Sequence, residues 1–519
     1  MTVLSTDLAN FAPNLRYTVR TMSKSEMGGC DRASIRAVGQ DADLAQIQSL
    51  VNRLGKPVTI FDDIGQPVWW GYVNEVVLNN RAVSFGVSLD GMYNRIAVAY
   101  GDYTNDRATT GWLDDAASQL TFGKKELLAT LSNASQATAE AMRANELARL
   151  AIPQGVASFD RNNDDLPSAT VNCLGWWHCL DWRYYANPNG LHGHSAGSGA
   201  QAFGEGSDIN RVGQVLVTLP GTVPYTALTL PLRKNNAPTD GVIAEIYTGS
   251  SLGAGTLLAS ATYPAAELSS TDVTNITKPL TAPVAAGQDV NIVLRRTTGI
   301  IDTTHFYFVG IDSDGGYAGG SFLIRIGGTW QGGFPTTGSL HFQLSGEQTA
   351  TAQIKYAVEN YRPSAAHIQA VDIETESDFS SVPFRDGDAK LLDSLNELMD
   401  SSRSTFYTYL AEVTVDRRLR IYRDSGRRQY AIGADGNLIN QYGGPVRPWE
   451  MPVGHVVALR DVFPSLEGSV NFASSTKVIV ARAEYTANYA RDGRVSSQIM
   501  RFTPRGARDP FQLGALQKG

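Results

Sequence analysis

The sequence predicts a mainly β protein with a few helices, in which barrel-like domains are interrupted by a β-sandwich. Short runs of alternating apolar and polar residues recur between Gly, Pro and Asn turns, a pattern typical of half-buried antiparallel strands. The chain has 519 residues, too many for one hydrophobic core, so we expect roughly three or four domains. Its 50 Gly and 22 Pro indicate many turns.

Charge and composition narrow the classes of function. The net charge of −7 argues against a large nucleic-acid surface, because phosphate binding needs a concentrated basic face. We therefore expect no sequence-specific nucleic-acid partner. Only 18% of the residues are charged, which suits a protein that buries surface against partners. An ordinary all-β protein with long polar loops explains the same composition equally well.

The apolar runs and the cysteines indicate a protein made in the cytoplasm. No apolar run approaches the ~18 residues that a membrane span needs, and residues 1–19 lack a basic segment followed by an apolar core. The three Cys do not have the spacing of zinc ligands or of a disulfide framework. We therefore expect no metal and no cofactor, and we expect Cys173 and Cys179 to be packed thiols on one face of a strand.

Residues 1–107 are predicted to form an N-terminal β-barrel domain that contains one helix. The apolar residues of ADLAQIQSLVNRL recur at helical spacing, and Lys56-Pro57 ends that helix. Period-two alternation predicts the strands Leu15–Val19, Ala33–Val38, Val58–Phe61, Val68–Val77, Val83–Leu89 and Ile96–Ala99.

Residues 108–186 are predicted to add a helical brace and a Trp-rich strand. Helix-forming residues dominate Asp114–Leu120 and Ala137–Leu150, and Ser135 is positioned to cap the second helix. We expect both helices to brace the barrel from outside.

The Trp-rich segment Ala169–Tyr185 contains NCLGWWHCLDWRYY. We interpret it as a strand covered on both sides, because strand alternation places aromatic residues on both faces. His178 is interpreted as a hydrogen-bonded strand residue, since no second metal ligand stands near it at a suitable spacing.

Residues 187–348 are predicted to be a module inserted into this scaffold. Helix signals are almost absent, and short runs with Gly, Pro and Asn turns between them are typical of a jelly-roll β-sandwich. The predicted strands are Gln214–Leu219, Tyr225–Leu232, Gly241–Tyr247, Leu257–Ala261, Val290–Arg295, His305–Gly310, Leu323–Ile326 and Leu340–Leu344.

Residues 349–519 are predicted to return to the scaffold as a second barrel with a helix and a hairpin. Gln353–Asn360 reads as a strand, and Asp386–Asp400 reads as a helix capped by Asp388. The hairpin pairs FYTYLAEVTV with RRLRIYR. Further strands are predicted at Val456–Leu459, Lys477–Tyr485 and Ser497–Phe502.

The inserted module resembles the carbohydrate-binding-like jelly-roll modules of bacterial and phage surface proteins. The similar segments are LTLPLRKNNAPTDGVIAEIYTGSSLGAGTLLASATY, ITKPLTAPVAAGQDVNIVLRR and YAGGSFLIRIGGTW. The resemblance covers about 130 residues within 187–348. It implies an adhesive or decorating domain and does not carry over a defined sugar site.

The scaffold resembles the tail hub, or baseplate hub, proteins of long-tailed bacteriophages. The similar features are the FGKKE segment, GWWHCLDWRYY, and the later helix and hairpin of FRDGDAKLLDSLNELMDSSRSTFYTYLAEVTVDRRLRIYRD. This resemblance implies a structural virion protein of the distal tail tip that forms a ring, a homotrimer. The partners it implies are the distal tail protein, the tail tube, the tape measure, and tip or fibre proteins. The inserted module would then contact a host-surface glycan.

Three groups of residues are candidates for a catalytic, metal or glycan-binding site. The acidic groups Asp62-Asp63, Asp114-Asp115 and Asn163-Asp164-Asp165 stand in turn-like or helix-start contexts, so we expect no catalytic carboxylate pair and no enzyme. Asp312-Ser313-Asp314-Gly315 matches only half of a calcium loop and is expected to be a solvated turn. Tyr317, Trp330 and Phe334 stand among glycines and are the candidate glycan contacts, although aromatic residues in jelly rolls more often pack in the core or at its rim.

Two other functions are compatible with the same sequence features. One is a free-standing glycan-binding or glycan-degrading β-protein to which the flanking parts are accessory. The other is a hexameric distal tail adaptor, which also carries a barrel and a sandwich. A ring protein buries scaffold surface only in the oligomer, whereas an enzyme acts as a monomer through a carboxylate pair.

Overall fold

The computed structural model describes residues 4–504 with internal gaps, and these residues divide into two compact units. Unit 1 consists of Met1–Tyr184, Ile354–Glu376 and Lys390–Gly519, and unit 2 consists of Tyr185–Gln353 and Ser377–Ala389. The gaps in the described range are 102–107, 160–165, 196–198, 206–208, 217, 253, 299–301, 314–316, 318–319, 333–337, 374–378, 402–408, 424–427, 434, 436, 448, 451, 461–474 and 490–494.

Helices are few. The α-helices are α1 (Leu8–Phe11), α2 (Leu44–Ser49), α3 (Ala116–Phe122), α4 (Gln136–Leu150), α5 (Ala350–Tyr361) and α6 (Leu391–Ser401). Short 3₁₀ helices span Asp41–Asp43, Leu50–Arg53, Trp176–Trp182 and Ala265–Glu267. In the part of the chain described, no helix has both the length and the apolar character needed to cross a membrane.

Strands dominate, so the prediction of a mainly β protein with a few helices is confirmed. The first strands are β1 (Ser5–Thr6), β2 (Arg16–Ser25), β3 (Met27–Val38), β4 (Pro57–Phe61), β5 (Pro67–Asn80), β6 (Val83–Ser88), β7 (Arg95–Gly101), β8 (Ala108–Thr109), β9 (Leu113–Asp114), β10 (Glu126–Ser132), β11 (Gln154–Phe159), β12 (Ser168–Leu174) and β13 (Tyr184–Asn187). Next come β14 (Leu191–His194), β15 (Gly199–Phe203), β16 (Arg211–Leu216), β17 (Tyr225–Lys234), β18 (Gly241–Thr248), β19 (Leu257–Pro264), β20 (Thr274–Val284), β21 (Val290–Arg296), β22 (Tyr307–Asp312), β23 (Phe322–Ile326), β24 (Thr329–Gly332), β25 (Ser339–Leu340), β26 (Phe342–Ser345) and β27 (Gln348–Thr349). The last are β28 (Ala370–Ile373), β29 (Ser380–Ser381), β30 (Arg385–Lys390), β31 (Tyr409–Val413), β32 (Arg418–Arg423), β33 (Gln429–Ile432), β34 (Leu438–Asn440), β35 (Val456–Arg460), β36 (Ser475–Tyr489) and β37 (Val495–Pro504).

Unit 1 is organised around a 16-stranded sheet. One antiparallel run in it is β11-β6-β5-β12-β3-β2-β36-β37. Strands from the predicted N-terminal and C-terminal hub domains are therefore hydrogen-bonded into one sheet, where β2 meets β36. Beside it, β7 pairs with β8, β9 and β10 in a smaller sheet against which α4 packs.

Unit 2 is a two-layer sandwich. One layer has seven strands in the order β14-β26-β17-β22-β15, with β20 on β17 and β25 on β22, and the other has six in the order β19-β18-β21-β16-β23-β24. Alternate residues of both layers, such as Leu228, Leu230 and Leu232 of β17, are fully buried in one shared apolar core. This alternation is the reason that the period-two pattern predicted the strands.

The prediction of a continuous strand from Ala169 to Tyr185 was wrong. β12 ends at Leu174, and a 3₁₀ helix follows over Trp176–Trp182. The chain turns at Gly175, whose N–H donates to the Asp31 carbonyl and where a Cβ would lie 1.7 Å from the Cys30 carbonyl oxygen. Trp176, Trp177 and Trp182 are all buried although they are not on one strand face. The helical conformation of the segment explains this, and a strand covered on both faces is not needed.

Two further assignments at the C-terminal side are corrected. Gln353–Asn360 lies in the helix α5 rather than in a strand, because Ile354, Ala357 and Val358 form a buried stripe at helical spacing. α6 begins at Leu391, and Asp388 belongs to the preceding strand β30, so it does not cap that helix.

Other local predictions are confirmed. The Ser135 hydroxyl accepts a hydrogen bond from the Thr138 N–H and caps α4. The three cysteines are buried free thiols, although Cys179 lies in the 3₁₀ helix and not on a strand with Cys173. His178 is hydrogen-bonded, with its Nε2 2.8 Å from Asp31 Oδ1, but it also lies in the 3₁₀ helix.

A buried histidine in unit 1 makes stability depend on pH. The His367 ring lies edge-on to Trp176 and Trp182, at centroid distances of 5.6 and 5.3 Å. Burial, aided by the positive charge of Arg417, lowers the pKa of His367 to about 4. The unfolded chain, with an ordinary pKa of about 6.5, takes up the proton first as the pH falls.

This contribution to stability is therefore complete above pH ~6.5 and is lost as the pH falls towards about 4, by at most ~1.4 kcal/mol per pH unit. We expect a smaller decrease in the Tm of unit 1 between pH 7 and pH 4.5 in His367→Phe than in the unsubstituted protein. Calorimetry at the two pH values measures this. Equal decreases in both proteins would contradict the assignment to His367.

Candidate functional site

The candidate site is a cavity of about 730 Å³ on the seven-stranded layer of unit 2. It opens on the face of that sheet that points away from the core. Leu228, Leu230 and Leu232 of β17 point into the core, so Thr229 and Pro231 point to the opposite side and line the cavity. The other lining residues are Leu191, Gly193, His194, Ser195, Gly199, Ala200, Val273, Asn275, Gly310, His341, Phe342 and Gln343.

The cavity lies where β17 changes its neighbour. β26 pairs with β17 up to Thr229, and β22 pairs with it from Leu232 onward. Pro231 stands between these two positions, and proline has no N–H to donate to a neighbouring strand. The ladder is therefore interrupted at this position, and the space beside it is left open.

Two glycines of the cavity, Gly310 and Gly193, leave no room for a side chain. A Cβ on Gly310 would lie 2.8 Å from Pro231 Cγ and 3.1 Å from His341 Nδ1. A Cβ on Gly193 would lie 2.4 Å from the Phe342 carbonyl oxygen. A side chain at either position would collide with neighbouring atoms, so the cavity in this form requires glycine at both positions.

His194, His341 and Phe342 form one wall of the cavity, and His192 and Tyr317 pack behind it. His194 Nε2 lies 3.1 Å from Asp312 Oδ2, and both side chains are nearly buried. His192 Nε2 lies 2.9 Å from the Tyr317 hydroxyl. The Tyr317 ring packs 5.5 Å from Phe342, and the His194 ring lies 5.9 Å from His341. The rings of this wall therefore pack against one another.

Burial determines the protonation states of His192 and Tyr317, which pack behind this wall. It lowers the pKa of His192 and raises the pKa of Tyr317, so both the imidazole and the phenol are neutral at pH 7. The hydrogen bond between them joins two uncharged groups.

Two side-chain amides point into the cavity and are available to a ligand. Asn275 and Gln343 are exposed, and neither amide is hydrogen-bonded to any residue that the structure describes. Gln343 stands opposite Thr229 across the β17–β26 ladder, and Asn275 stands opposite Pro231 across the β17–β20 ladder. With Ser195 and the imidazoles, they offer donors and acceptors above an apolar floor, an arrangement that suits a neutral ligand rich in hydroxyl groups.

Tyr317 and Trp330, two of the three aromatic residues selected from the sequence, do not share one platform. Tyr317 is half-buried and supports the cavity wall through His192 and Phe342. Trp330 is half-buried and packs in a separate apolar cluster of the six-stranded layer. Phe334 lies outside the described residues. Glycan contact by these residues stays a prediction.

Asp62 and Asp115 take local backbone roles, whereas Asp63 and Asp114 pair with Arg447 and Arg95. Asp62 Oδ1 accepts from the N–H groups of Ile64 and Gln66, as a turn residue does. Asp115 caps α3 by accepting from the Ser118 N–H. Residues 163–165 and 314–315 lie outside the described residues. Asp312 was expected in a solvated turn, but it is buried at the end of β22 and paired with His194. Within the described ranges no three His, Cys, Asp or Glu side chains are grouped as a metal site would require.

Sequence reasoning did not find the histidine wall. His192 and His194 stand on β14, whereas His341 lies about 150 residues later, beside β26. β14 pairs with β26, and this pairing brings the three side chains together. The HGH spacing of His192 and His194 shows only that they share a strand face.

Comparisons with known proteins do not assign a family. No protein-family profile and no curated protein matches the chain. Among solved structures, the functional form of the mosquito-larvicidal Cry4Aa toxin from Bacillus thuringiensis shows 7% sequence identity and a TM-score of 0.14. That similarity covers 60% of this chain and 57% of the toxin chain. A likeness at this level carries no argument about fold or function.

Proposed function

We propose that the chain is a structural subunit of the distal tail tip of a long-tailed bacteriophage. Unit 1 closes a ring, a homotrimer, that joins the tail tube to the tip, and unit 2 binds a glycan on the host surface. Its partners are further copies of itself and the distal tail, tube, tape-measure and fibre proteins. The phage assignment follows from the resemblance of the scaffold, and the ring is supported by one feature of the large sheet.

That feature is the edge strand β11. Within the described chain it pairs only with β6, and all six of its residues are exposed. Val156 is 71% exposed and Phe159 is 78% exposed. Phe159 stands opposite Val83 and shares a face with Phe85, two exposed apolar residues of β6. Phe159, Val83 and Phe85 therefore form an apolar patch on one face of an open sheet edge, and Val156 is exposed on the other face of the same edge.

Such an edge is normally protected by charge, proline or a cover. The sequences of β6 and β11, VSFGVS and QGVASF, contain neither a charged residue nor a proline. Contiguous exposed apolar patches of this kind usually mark an interaction surface. The edge therefore favours a function in which another chain pairs with it.

A second copy of the chain is the partner that fits. β11 and β37 are the two ends of one antiparallel run of strands, and within the described residues β37 pairs only with β36. If β11 of one copy pairs with β37 of the next, the sheet continues from subunit to subunit. Head-to-tail contacts of this type close a ring when the rotation between subunits allows it.

A lysine at the edge tests the ring. Val156→Lys is expected to convert the trimer to monomer, because a lysine on an edge strand opposes pairing with another strand. Sedimentation velocity on the full chain measures the mass. The matched control is Val415→Lys, which adds the same charge at another exposed valine, in the turn between β31 and β32, and is expected to leave the trimer intact.

The oligomeric state measured by sedimentation also distinguishes the ring subunit from the two other candidate functions. A trimer that persists in Val156→Lys would contradict closure through β11. A hexamer would favour the distal tail adaptor. A stable monomer that binds or cleaves glycans would favour the free-standing glycan-binding or glycan-degrading protein.

Glycan contact by unit 2 is supported by the cavity with Gln343 and Asn275. Gln343→Ala is expected to weaken binding of a neutral oligosaccharide about tenfold, the loss that corresponds to ~1.4 kcal/mol for one or two hydrogen bonds. Calorimetric titration with neutral gluco-, galacto- and manno-oligosaccharides measures it. Gln331→Ala, an exposed glutamine on β24 of the other layer, is the control and is expected to bind as the unsubstituted chain does. Equal weakening in both variants would contradict the cavity as the site.

A further inference from the structure

The outer face of the six-stranded layer carries a row of arginines. Arg211 of β16 stands directly opposite Arg325 of β23, and Arg325 stands opposite Trp330 of β24. Arg295 of β21 is on the same face, because its neighbours Leu294 and Arg296 alternate with it and are buried. Four adjacent strands therefore present three guanidinium groups and one indole to the same side.

The positive charge of this row is only partly compensated. Glu245 binds Arg295 through its Oε1, at 3.1 Å from Nε and 2.6 Å from Nη2. The Nε of Arg325 donates to the carbonyl oxygen of Gly328, at 3.1 Å, and not to a carboxylate. Arg211 makes no ion pair and no hydrogen bond through its side chain with any residue that the structure describes. Arg211 and Arg325 thus stand side by side without a carboxylate bound to either guanidinium, although the charge of Glu245 partly offsets that of Arg211. The net charge of the chain is −7.

This arrangement is unfavourable for the unliganded sheet. Like charges directly opposite each other on neighbouring strands destabilise a sheet. Burial lowers the pKa of Arg211, and the adjacent charges of Arg325 and Arg295 lower it further, while the nearby Glu245 acts in the opposite direction. A polar neutral residue at either position would fold with less repulsion. An anion held between the two guanidinium groups would remove the repulsion.

An apolar platform lies next to the charges. Trp330 packs with the partly buried Tyr247 and Leu323 over Val215, Leu252 and Val293, and all of these lie on the outer face of the layer. Trp330 remains half-exposed. A half-exposed indole beside guanidinium groups can pack against a sugar ring while the cations take the acidic substituent of that ring.

We infer that this face is a second binding site, for an anionic saccharide that carries a carboxylate or a phosphate group. Arg211 and Arg325 bind the anionic oxygens, and Trp330 packs against the sugar ring. The site is separate from the neutral cavity, which lies on the other layer of the sandwich. The inference rests on the proposed glycan contact of unit 2 and names the charge of one ligand.

Affinity electrophoresis of the full chain in gels that contain an anionic polymer tests the inference. The probes are polygalacturonate, which carries carboxylates, poly(glycerol phosphate), which carries phosphates, and neutral dextran. Arg325→Gln is expected to weaken binding of at least one anionic polymer tenfold or more, and that polymer identifies the acidic group. Arg233→Gln is the matched control, since Arg233 lies over Phe308 on the other layer and the substitution removes the same charge. Binding should also weaken as the salt concentration rises.

A second measurement separates binding from folding. Arg211→Gln is expected to raise the Tm of the unliganded protein while it weakens binding of the same polymer. Binding of neither anionic polymer by the unsubstituted chain, or equal binding by Arg325→Gln and Arg233→Gln, would overturn the inference. If neutral oligosaccharides still bind in a manner that depends on Gln343, only the anionic site fails. If they do not bind either, the glycan contact of unit 2 fails as well.

Discussion

Glu126→Gln is expected to lower the free energy of unfolding of unit 1 by about 3–5 kcal/mol. The Glu126 side chain is 2% exposed, and its Oε1 lies 2.7 Å from Arg95 Nη1 and 3.0 Å from Arg183 Nε. Its Oε2 accepts from the Tyr184 N–H at 2.7 Å. A neutral amide of the same shape would leave the buried Arg183 guanidinium without a countercharge, and Arg95 with only the more exposed Asp114, whose Oδ1 lies 3.4 Å from Arg95 Nε. Differential scanning calorimetry of the full chain measures the loss.

The control for this prediction is an ion pair at the surface. Asp41 and Arg81 form such a pair at 3.1 Å, with both side chains about two-thirds exposed. Asp41→Asn is expected to change the free energy of unfolding by no more than about 1 kcal/mol, since solvent screens the pair. A loss of similar size in both variants would show that Glu126 does not hold the two arginines in a buried cluster.

Gly175→Ala is the second large effect, with an expected destabilisation of about 3 kcal/mol or more. The backbone conformation of Gly175 is open to any residue, with φ of −64°, so the effect does not come from glycine flexibility. It comes from close packing, because an added Cβ would lie 1.7 Å from the Cys30 carbonyl oxygen. Either the hydrogen bond from Gly175 N–H to Asp31 or the start of the Trp176–Trp182 helix would have to move.

Gly86→Ala provides the comparison. A Cβ on Gly86 would have its nearest contact at 3.7 Å, with Val77 Cγ2, an ordinary van der Waals distance. We expect this change in β6 to be neutral or slightly stabilising, by less than about 1 kcal/mol. If urea titration shows equal stability for the two variants, the Gly175 contact is not as close as described.

The sequence predicted those parts of the fold in which one side of an element is buried. In unit 2 the predicted strand Gly241–Tyr247 is β18, because Val242, Ala244 and Ile246 enter the core while their neighbours do not. The cap of α4 by Ser135 was predictable since it depends only on residues nearby in the chain.

Prediction from the sequence was wrong where the burial of side chains does not follow a period. Trp176–Trp182 was assigned to a strand because aromatic residues favour strands, yet the close approach of Gly175 to Cys30 turns the chain into a 3₁₀ helix. The junction of β2 with β36 joins residues about 460 positions apart, and no local pattern encodes such a pairing. For the same reason the sequence did not indicate that the two predicted hub domains share one sheet.

The candidate site was predictable only in part. Tyr317 was selected for its glycine-rich surroundings, and it packs behind the cavity wall, against Phe342 and His192, without lining the cavity. Trp330 was selected by the same reasoning and lies beside the arginine row of the other layer. The amides and histidines of the cavity were missed because Asn275, Gln343 and His194 come from three strands that meet only in the folded sheet.

The measurement that tests the ring most directly is hydrogen exchange of the β11 amides, Gln154–Phe159, in the assembled full chain and after dilution. Alternate N–H groups of an edge strand point away from its one neighbour and exchange quickly unless another strand covers them. We predict slow exchange along all of β11 in the assembly and fast exchange of the outward-pointing amides on dilution, with β6 unchanged. Fast exchange of those amides in the assembled state would contradict ring closure through this edge.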